Sequence, residues 1–308
     1  MDIGSRYARE VEIRWLEAFV VVAEELHFGR AAQRLHVAQS PLSQTIRRLE
    51  ASIGTELFER NTRSVALTPA GRALLPMAYR VIQDLALATE AARAASGAIR
   101  GTVRIGFSGA FNHLTLPALA RAARRELPEV DLQLVSRVRT RDGLAKLRSG
   151  TLDLAFVGLP VAAEGIDSRM IARTRLGAAL PIDHPLADEP ALHARQLAED
   201  DFLSMPTDGS SAMAEGLIRC CVAAGFRPNI VQEVADPYMM LTLVAAGIGV
   251  TITAEDLAPI MPQGARWVEL LDEPQYMRHG IAWLKDDQSA ALRAVLDLAE
   301  RILPTPED

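Results

Sequence analysis

The stretch Gln39-Ser40-Pro41-Leu42-Ser43-Gln44-Thr45-Ile46-Arg47-Arg48-Leu49-Glu50-Ala51-Ser52-Ile53-Gly54 decides the reading of this 308-residue chain. Ser40 is suited to cap orphan backbone N–H groups and Pro41 to sit in the first helical position, so a helix is predicted to begin here. Gly54 ends it, because glycine adopts the left-handed conformation of a helix terminus without steric cost. Ile46, Leu49 and Ile53 recur at helical spacing and are expected to face inward. Gln39, Ser43, Gln44, Arg47 and Arg48 are then left on the outer face. Glutamine, serine and arginine hydrogen-bond base edges and phosphates, whereas an ordinary solvated face more often carries glutamate and lysine.

Upstream, Leu16, Phe19, Val20 and Ala23 mark a first helix by their spacing, and Gly29 to Leu35 a second. The small pair Ala31-Ala32 lets another helix approach closely, and His36-Val37-Ala38 makes a tight turn into the third. Two helices and a turn ahead of a polar-faced third helix define a helix-turn-helix, with Arg30 on the second helix as a further candidate contact. Downstream, Leu57 to Thr68 holds two short apolar runs about a polar turn, a β-hairpin or wing. Arg63 falls near its tip, where it either enters a minor groove or pairs with Glu59 or a phosphate. Thr68-Pro69 then caps and opens a long helix. Leu74, Met77, Val81, Leu85, Ala88, Ala92 and Ala95 step along it by three and four residues, as in a coiled-coil seam. The alternative is packing on its own domain, but about 28 residues at 1.5 Å each outrun a small head.

The net charge of −6 by itself argues against nucleic acid. The charge is uneven, however: residues 1–100 carry 13 arginines, no lysine and 11 acids, leaving the remainder at −8. A mildly basic head on an acidic body is compatible with DNA binding confined to the head. Cys220 and Cys221 are adjacent and match neither a disulfide framework nor zinc spacing, and the six histidines are scattered, so no metal and no cofactor are expected. No segment is apolar enough to span a bilayer and Met1 to Arg14 lacks a signal-peptide core, so the expectation is a cytoplasmic protein without membrane contact.

Beyond the long helix, strand Gly101–Phe107, a helix from about Asn112 to Arg125, strand Asp131–Ser136, helix Asp142–Ser149 and strand Asp153–Val157 alternate as in a parallel α/β sheet. The alternation repeats after about Arg173, with strands at Phe202–Met205 and Ile230–Val231 and helices at Ser210–Ala224 and Asp236–Ala246. Residues from about Val268 are predicted to return to the first lobe and end in helix Ser289–Ile302. Two lobes joined by two crossings leave a cleft between them. Ligands in such sheets sit at strand carboxyl ends near helix N-termini, which selects Ser108-Gly109-Ala110, Arg139-Thr140 and Pro206 to Ser211 (including Ser210). Asp236 and Tyr238 are candidates for the opposite wall. Hydroxyls beside unpaired N–H groups favour a carboxylate or similar anion, or else simply cap their helices; ionised Asp208 and Asp236 would oppose an anion.

Leu16–Ala32, Ala38–Ile46, Arg47–Gly54 and Leu57–Gly71 together closely resemble the LysR-type transcriptional regulators, and the layout of the whole chain fits. The resemblance implies an α/β multidomain protein: a winged helix-turn-helix over residues 1–68, a dimerising linker helix over 69–98, and a periplasmic-binding-protein-like sensor over 99–308. Its lobe I would take about 99–172 and 269–308, and lobe II about 173–268. It further implies DNA readout by Gln39, Ser40, Pro41, Ser43 and Gln44, with Arg63 as the wing arginine. Many members carry arginine where this chain has Gln44, which would move preference from guanine toward adenine. Some relatives that sense aromatic-pathway acids have serine at the position of Ala110, which weakens the transfer of any specific inducer. Members usually start near Val11, so residues 1–10 are expected to be an extension or a misplaced start. The implied partners are promoter DNA, a small-molecule inducer, RNA polymerase and further copies of the chain, as dimer or tetramer. A transporter receptor and an enzyme are the competing readings; the head opposes the first, and the lack of a catalytic motif the second.

Overall fold

A computed structural model describes residues 11–60, 65–94, 99–209 and 211–306. Residues 1–10, Arg63, Ala95 and Ser210 lie outside this described part.

The N-terminal unit contains α1 (Ile13–Glu25), α2 (Phe28–Arg34), α3 (Gln39–Ile53), the hairpin strands β1 (Phe58–Arg60) and β2 (Val65–Leu67), and α4 (Pro69–Ala94). Phe19, Phe28 and Phe58 meet at ring-centroid distances of 5.4 and 5.9 Å, and with Ala31, Leu42, Ile46, Leu49 and Leu57 they form the core. Helix α2 starts one residue earlier than expected because His27 caps it: Nδ1 accepts from the N–H groups of Gly29 and Arg30 at 3.0 and 3.2 Å. Helix α3 starts at Gln39 with Ala38 as its cap residue, so Ser40 does not cap and Pro41 is the third residue. Proline costs nothing there, since the first-turn N–H groups have no intrahelical acceptor. Ile53 is 37% exposed instead of inward, because the core on this helix ends one turn earlier at Leu49. Gly54, at φ 83°, terminates α3 as expected. Glu50 Oε1 accepts from the N–H groups of Leu57 and Phe58, which fastens the hairpin to α3. Thr68 Oγ1 accepts from Gly71 N–H at 2.9 Å and caps α4.

The C-terminal unit follows as β3 (Gly101–Gly106), α5 (Thr115–Glu126), β4 (Val130–Val135), α6 (Thr140–Arg148), β5 (Leu154–Gly158), β6 (Ile166–Pro181), β7 (Ala191–Leu192), β8 (Asp201–Ser204), α7 (Ala212–Ala223), β9 (Asn229–Glu233), α8 (Pro237–Ala245), β10 (Thr251–Ala254), β11 (Ala265–Leu270), β12 (Tyr276–Leu284) and α9 (Ala290–Ile302). The order β4-β3-β5-β12-β6-β11-β7 runs through both lobes, with β10 also on β6. In lobe I, β3 is parallel to β4 and β5, and β12 is antiparallel to β5 and β6. The period-2 alternation sends Leu154 and Phe156 toward α5 and α9, and Ala155 and Val157 toward α6. In lobe II, β6, β10 and β11 pack with β8, α7 and α8 around Phe202, Leu203, Leu217, Met240 and Leu241.

The 16-residue strand β6 makes the first crossing: it pairs with β12 as far as Arg175 and with β10 from Leu176. The second crossing comes after Leu270, later than the predicted Val268, because Val268 still pairs with Ala178 and Leu270 with Leu192. The helix expected from Asn112 is split into a 3₁₀ turn, Ala110–Asn112, and α5, and the helix expected from Asp142 begins at Thr140.

Candidate nucleic-acid interface and effector cleft

On α3, Gln39, Ser40, Pro41, Gln44, Arg47 and Arg48 are exposed and Ser43 is half-buried, while Leu42, Ile46 and Leu49 turn into the core. Among the described residues neither Arg47 nor Arg48 has an ion-pair partner, so two guanidinium groups stand ready beside three amide or hydroxyl side chains. Arg30 differs. Its Nε lies 3.1 Å from Glu25 Oε2, and this bond holds the Glu25 carboxyl below the usual carboxylate range. Elsewhere in the unit Tyr79 hydrogen-bonds Glu24 and ties α4 to α1. Along α4, Leu74 packs partly on the head core, whereas Met77, Val81 and Leu85 are 49, 43 and 47% exposed at four-residue steps. Ala88 continues this exposed row.

In the C-terminal unit a cavity with about 40 Å³ of room for solvent lies between the lobes. Ser108, Thr140 and Ser211, three of the predicted residues, line it, as does Arg139. Each of the three hydroxyls is positioned by its own local bonding. Asn112, only 4% exposed, accepts from Ser108 N–H and Oγ at 3.0 and 3.2 Å. Thr140 Oγ1 accepts from Gly158 N–H at 2.8 Å, joining the start of α6 to the end of β5. Ser211 Oγ accepts from Ala214 N–H and caps α7. The N-termini of α6 and α7 therefore both open on the cavity, where their unpaired N–H groups and dipoles favour negative charge.

Gly109, Ala110 and Pro206 are not among the lining residues; Ala110 packs against the lobe II core instead. Asp236 is taken up as the cap of α8, accepting from Met239 N–H at 2.9 Å, and Tyr238 is 51% exposed; neither lines the cavity. The remaining wall is apolar (Phe111, Phe156, Met205, Met213, Met277) except for His279. This imidazole is 5% exposed, lies 6.3 Å from the Phe111 ring, and has no hydrogen-bond partner at Nε2. Burial pushes its pKa down to about 4, so it is neutral at physiological pH. Sequence reasoning missed it, because its inward position is set by the pairing of β12 with β5 and β6 and not by its neighbours in the chain.

Cys220 and Cys221 are buried on α7, and burial pushes their thiols up to about 11 and about 12. They stay protonated at neutral pH and offer no thiolate. Among the described residues no group of three or more His, Cys, Asp or Glu side chains could hold a metal ion, and no helix is long and apolar enough to cross a membrane.

The fold is thus a winged helix-turn-helix head followed by a two-lobed α/β body with a cleft. Residues 13–72 match the bacterial regulatory helix-turn-helix protein, lysR family, and residues 96–303 match the LysR substrate binding domain. The chain is 46% identical to the HTH-type transcriptional regulator ShiR of Corynebacterium glutamicum (strain R), over 94% of this chain and 98% of that one. It is 34% identical to a probable hydrogen peroxide-inducible genes activator of Mycobacterium avium, over 82% of this chain and 81% of that one. Its fold is similar to that of full-length CbnR in complex with target DNA, at TM-score 0.73 and 25% identity, covering 94% and 99% of the two chains. The chain belongs to the LysR family of transcriptional regulators.

Proposed function

We propose that this regulator grips promoter DNA with α3 and the β1–β2 hairpin, pairs with a second copy along α4, and switches when a small organic anion binds between its lobes. The observation that carries the DNA reading is the α3 face, where Arg47 and Arg48 project without carboxylate partners among the described residues, beside Gln39, Ser40 and Gln44. The CbnR–DNA complex supports it by similarity of fold. The exposed Met77, Val81 and Leu85 row supports pairing of two long helices, which would set two α3 helices on a dyad in the operator. The anion reading rests on two helix N-termini and Arg139 converging on one cavity. Further pairing through the sensor domains into a tetramer, DNA bending, and contact with RNA polymerase complete the scheme, which operates in the cytoplasm where the promoter lies. Inducer acts by binding one arrangement of the lobes more tightly than the other.

Peroxide sensing by cysteine is disfavoured, because neither thiol of this chain is exposed or ionised. The test is gel retardation of the promoter fragment by a Ser43→Ala/Arg47→Ala double variant. Its affinity should fall at least tenfold with an unchanged circular dichroism spectrum. Retardation at wild-type strength would overturn the DNA reading. For the switch, a saturating inducer that alters neither footprint nor bend angle would overturn the mechanism.

A further inference from the structure

A second, larger cavity of about 620 Å³ lies in the C-terminal unit beside the two crossings. Its wall contains Arg173 from β6 and Arg278 from β12, which are direct cross-strand partners. Like charges placed opposite one another on a sheet repel, and such pairs normally acquire a counter-charge. Arg175, two residues along β6, has one in Glu269. Arg173 and Arg278 have no carboxylate partner among the described residues. The Arg173 guanidinium instead lies over the Tyr276 ring, 3.9 Å from its centroid, and its Nε is sealed from solvent without a hydrogen-bond acceptor. Arg219 of α7 adds a third guanidinium to the same wall. Glu215 and Glu273 also line it, so three guanidinium groups face two carboxylates, a surplus of one positive charge.

We propose that this cavity is a second ligand site, distinct from the cleft, which takes a small oxyanion (a carboxylate or phosphate group) between the forks of Arg173 and Arg278. A planar guanidinium presents parallel N–H donors that match two acidic oxygens, and two such forks on neighbouring strands hold one anion from both sides. Tyr276 and Leu159 supply apolar surface for the body of a carboxylate ligand. The two cavities share only Ala212 and Met277 in their walls, so different side chains govern them.

The experiment is calorimetric titration of the full-length protein, in low-salt Tris chloride, with inorganic phosphate and separately with succinate. Wild-type protein should bind at least one of them: phosphate alone assigns a phosphate, succinate alone a carboxylate, and both the shared chemistry. Affinity should fall at least tenfold in Arg278→Gln, whose side chain is exposed and whose replacement leaves the core intact, and likewise in Arg173→Gln. Binding in the cleft instead would be lost in Thr140→Val and kept in Arg278→Gln. Binding of neither anion, unchanged affinity in Arg278→Gln, or that cleft pattern would each overturn the proposal.

Discussion

Gly158 and Ala212 set how closely the two lobes approach. A Cβ added at Gly158 would lie 2.6 Å from the Ala212 Cβ, against about 3.5–4.0 Å for carbon atoms in normal contact. The shortfall of roughly 1 Å falls between two anchored segments. Gly158 is paired opposite His279 in the sheet and donates to Thr140 Oγ1, while Ala212 opens a helix capped by Ser211. Neither is the end of a flexible side chain, so Gly158→Ala must either strain the closed arrangement or push the lobes apart, at about 1–3 kcal/mol. Ala212→Gly alone should cost about 0.5–1 kcal/mol through backbone entropy. The double variant removes the clash, so its penalty should fall short of the summed single penalties by about 1 kcal/mol or more. Urea unfolding of the full chain, followed on the transition reported by Trp267 and Trp283, measures all four members of the cycle. If Gly158→Ala is neutral, or if the two penalties add, then the lobes are not held against each other at this contact.

His279 supplies a pH dependence. In the unfolded chain it protonates near 6.5, whereas in the folded chain it does so only near 4, so protons favour unfolding as pH falls through that window. Stability attributable to this residue is lost between about pH 6.5 and pH 4, by about 3 kcal/mol at most. Urea midpoints of His279→Leu should therefore fall less steeply than wild type over the same range; parallel curves would show that the imidazole is not buried neutral. In the head, a Cβ at Gly71 would sit 2.2 Å from the Leu57 carbonyl oxygen, a backbone atom fixed by its bond from Thr68 N–H. Gly71→Ala should destabilise the head by about 1–3 kcal/mol and weaken promoter binding, leaving the C-terminal transition in place; full DNA affinity and an unchanged head transition would refute it.

The head is legible in the sequence because its determinants are local. The Thr68 cap, the Gly54 terminus and the helical spacing of Ile46 and Leu49 all lie within a turn or two of what they control. Even so, Ser40 reads as a cap that it does not supply, since Ala38 leads the helix with its backbone alone. The cleft is legible only where a hydroxyl precedes or opens a helix, as at Ser108, Thr140 and Ser211. Asp236 fits the same rule, yet its carboxylate is taken up by α8. Helix-capping chemistry alone does not tell a ligand group from a cap. His279 and Asn112 come from segments far apart in sequence, and the position of His279 is set by the long-range ladder of β12 with β5 and β6. The crossing within β6 leaves no local mark either, because the strand stays extended while its partners change at Leu176.

A movement of the lobes at that change of partners would break the fewest ladder bonds. The cleft offers about 40 Å³, room for a few water molecules, whereas pockets for small ligands are about 300–1,000 Å³. A ligand of the proposed kind would therefore have to meet the lobes further apart than they stand here. The crossings are joined by a bond from Leu176 N–H to the Gln275 carbonyl at 2.8 Å, beyond which β6 and β12 separate into different ladders. Rotation about this bond would widen the gap between Gly158 and Ala212 without unzipping either sheet, so opening costs cleft contacts but not strands. Arg173, Tyr276 and Arg278 lie within three residues of that same bond. An anion held there would add a tie across the paired strands next to the pivot, and its effect on inducer affinity would be matched, by linkage, by an equal effect of inducer on its own binding.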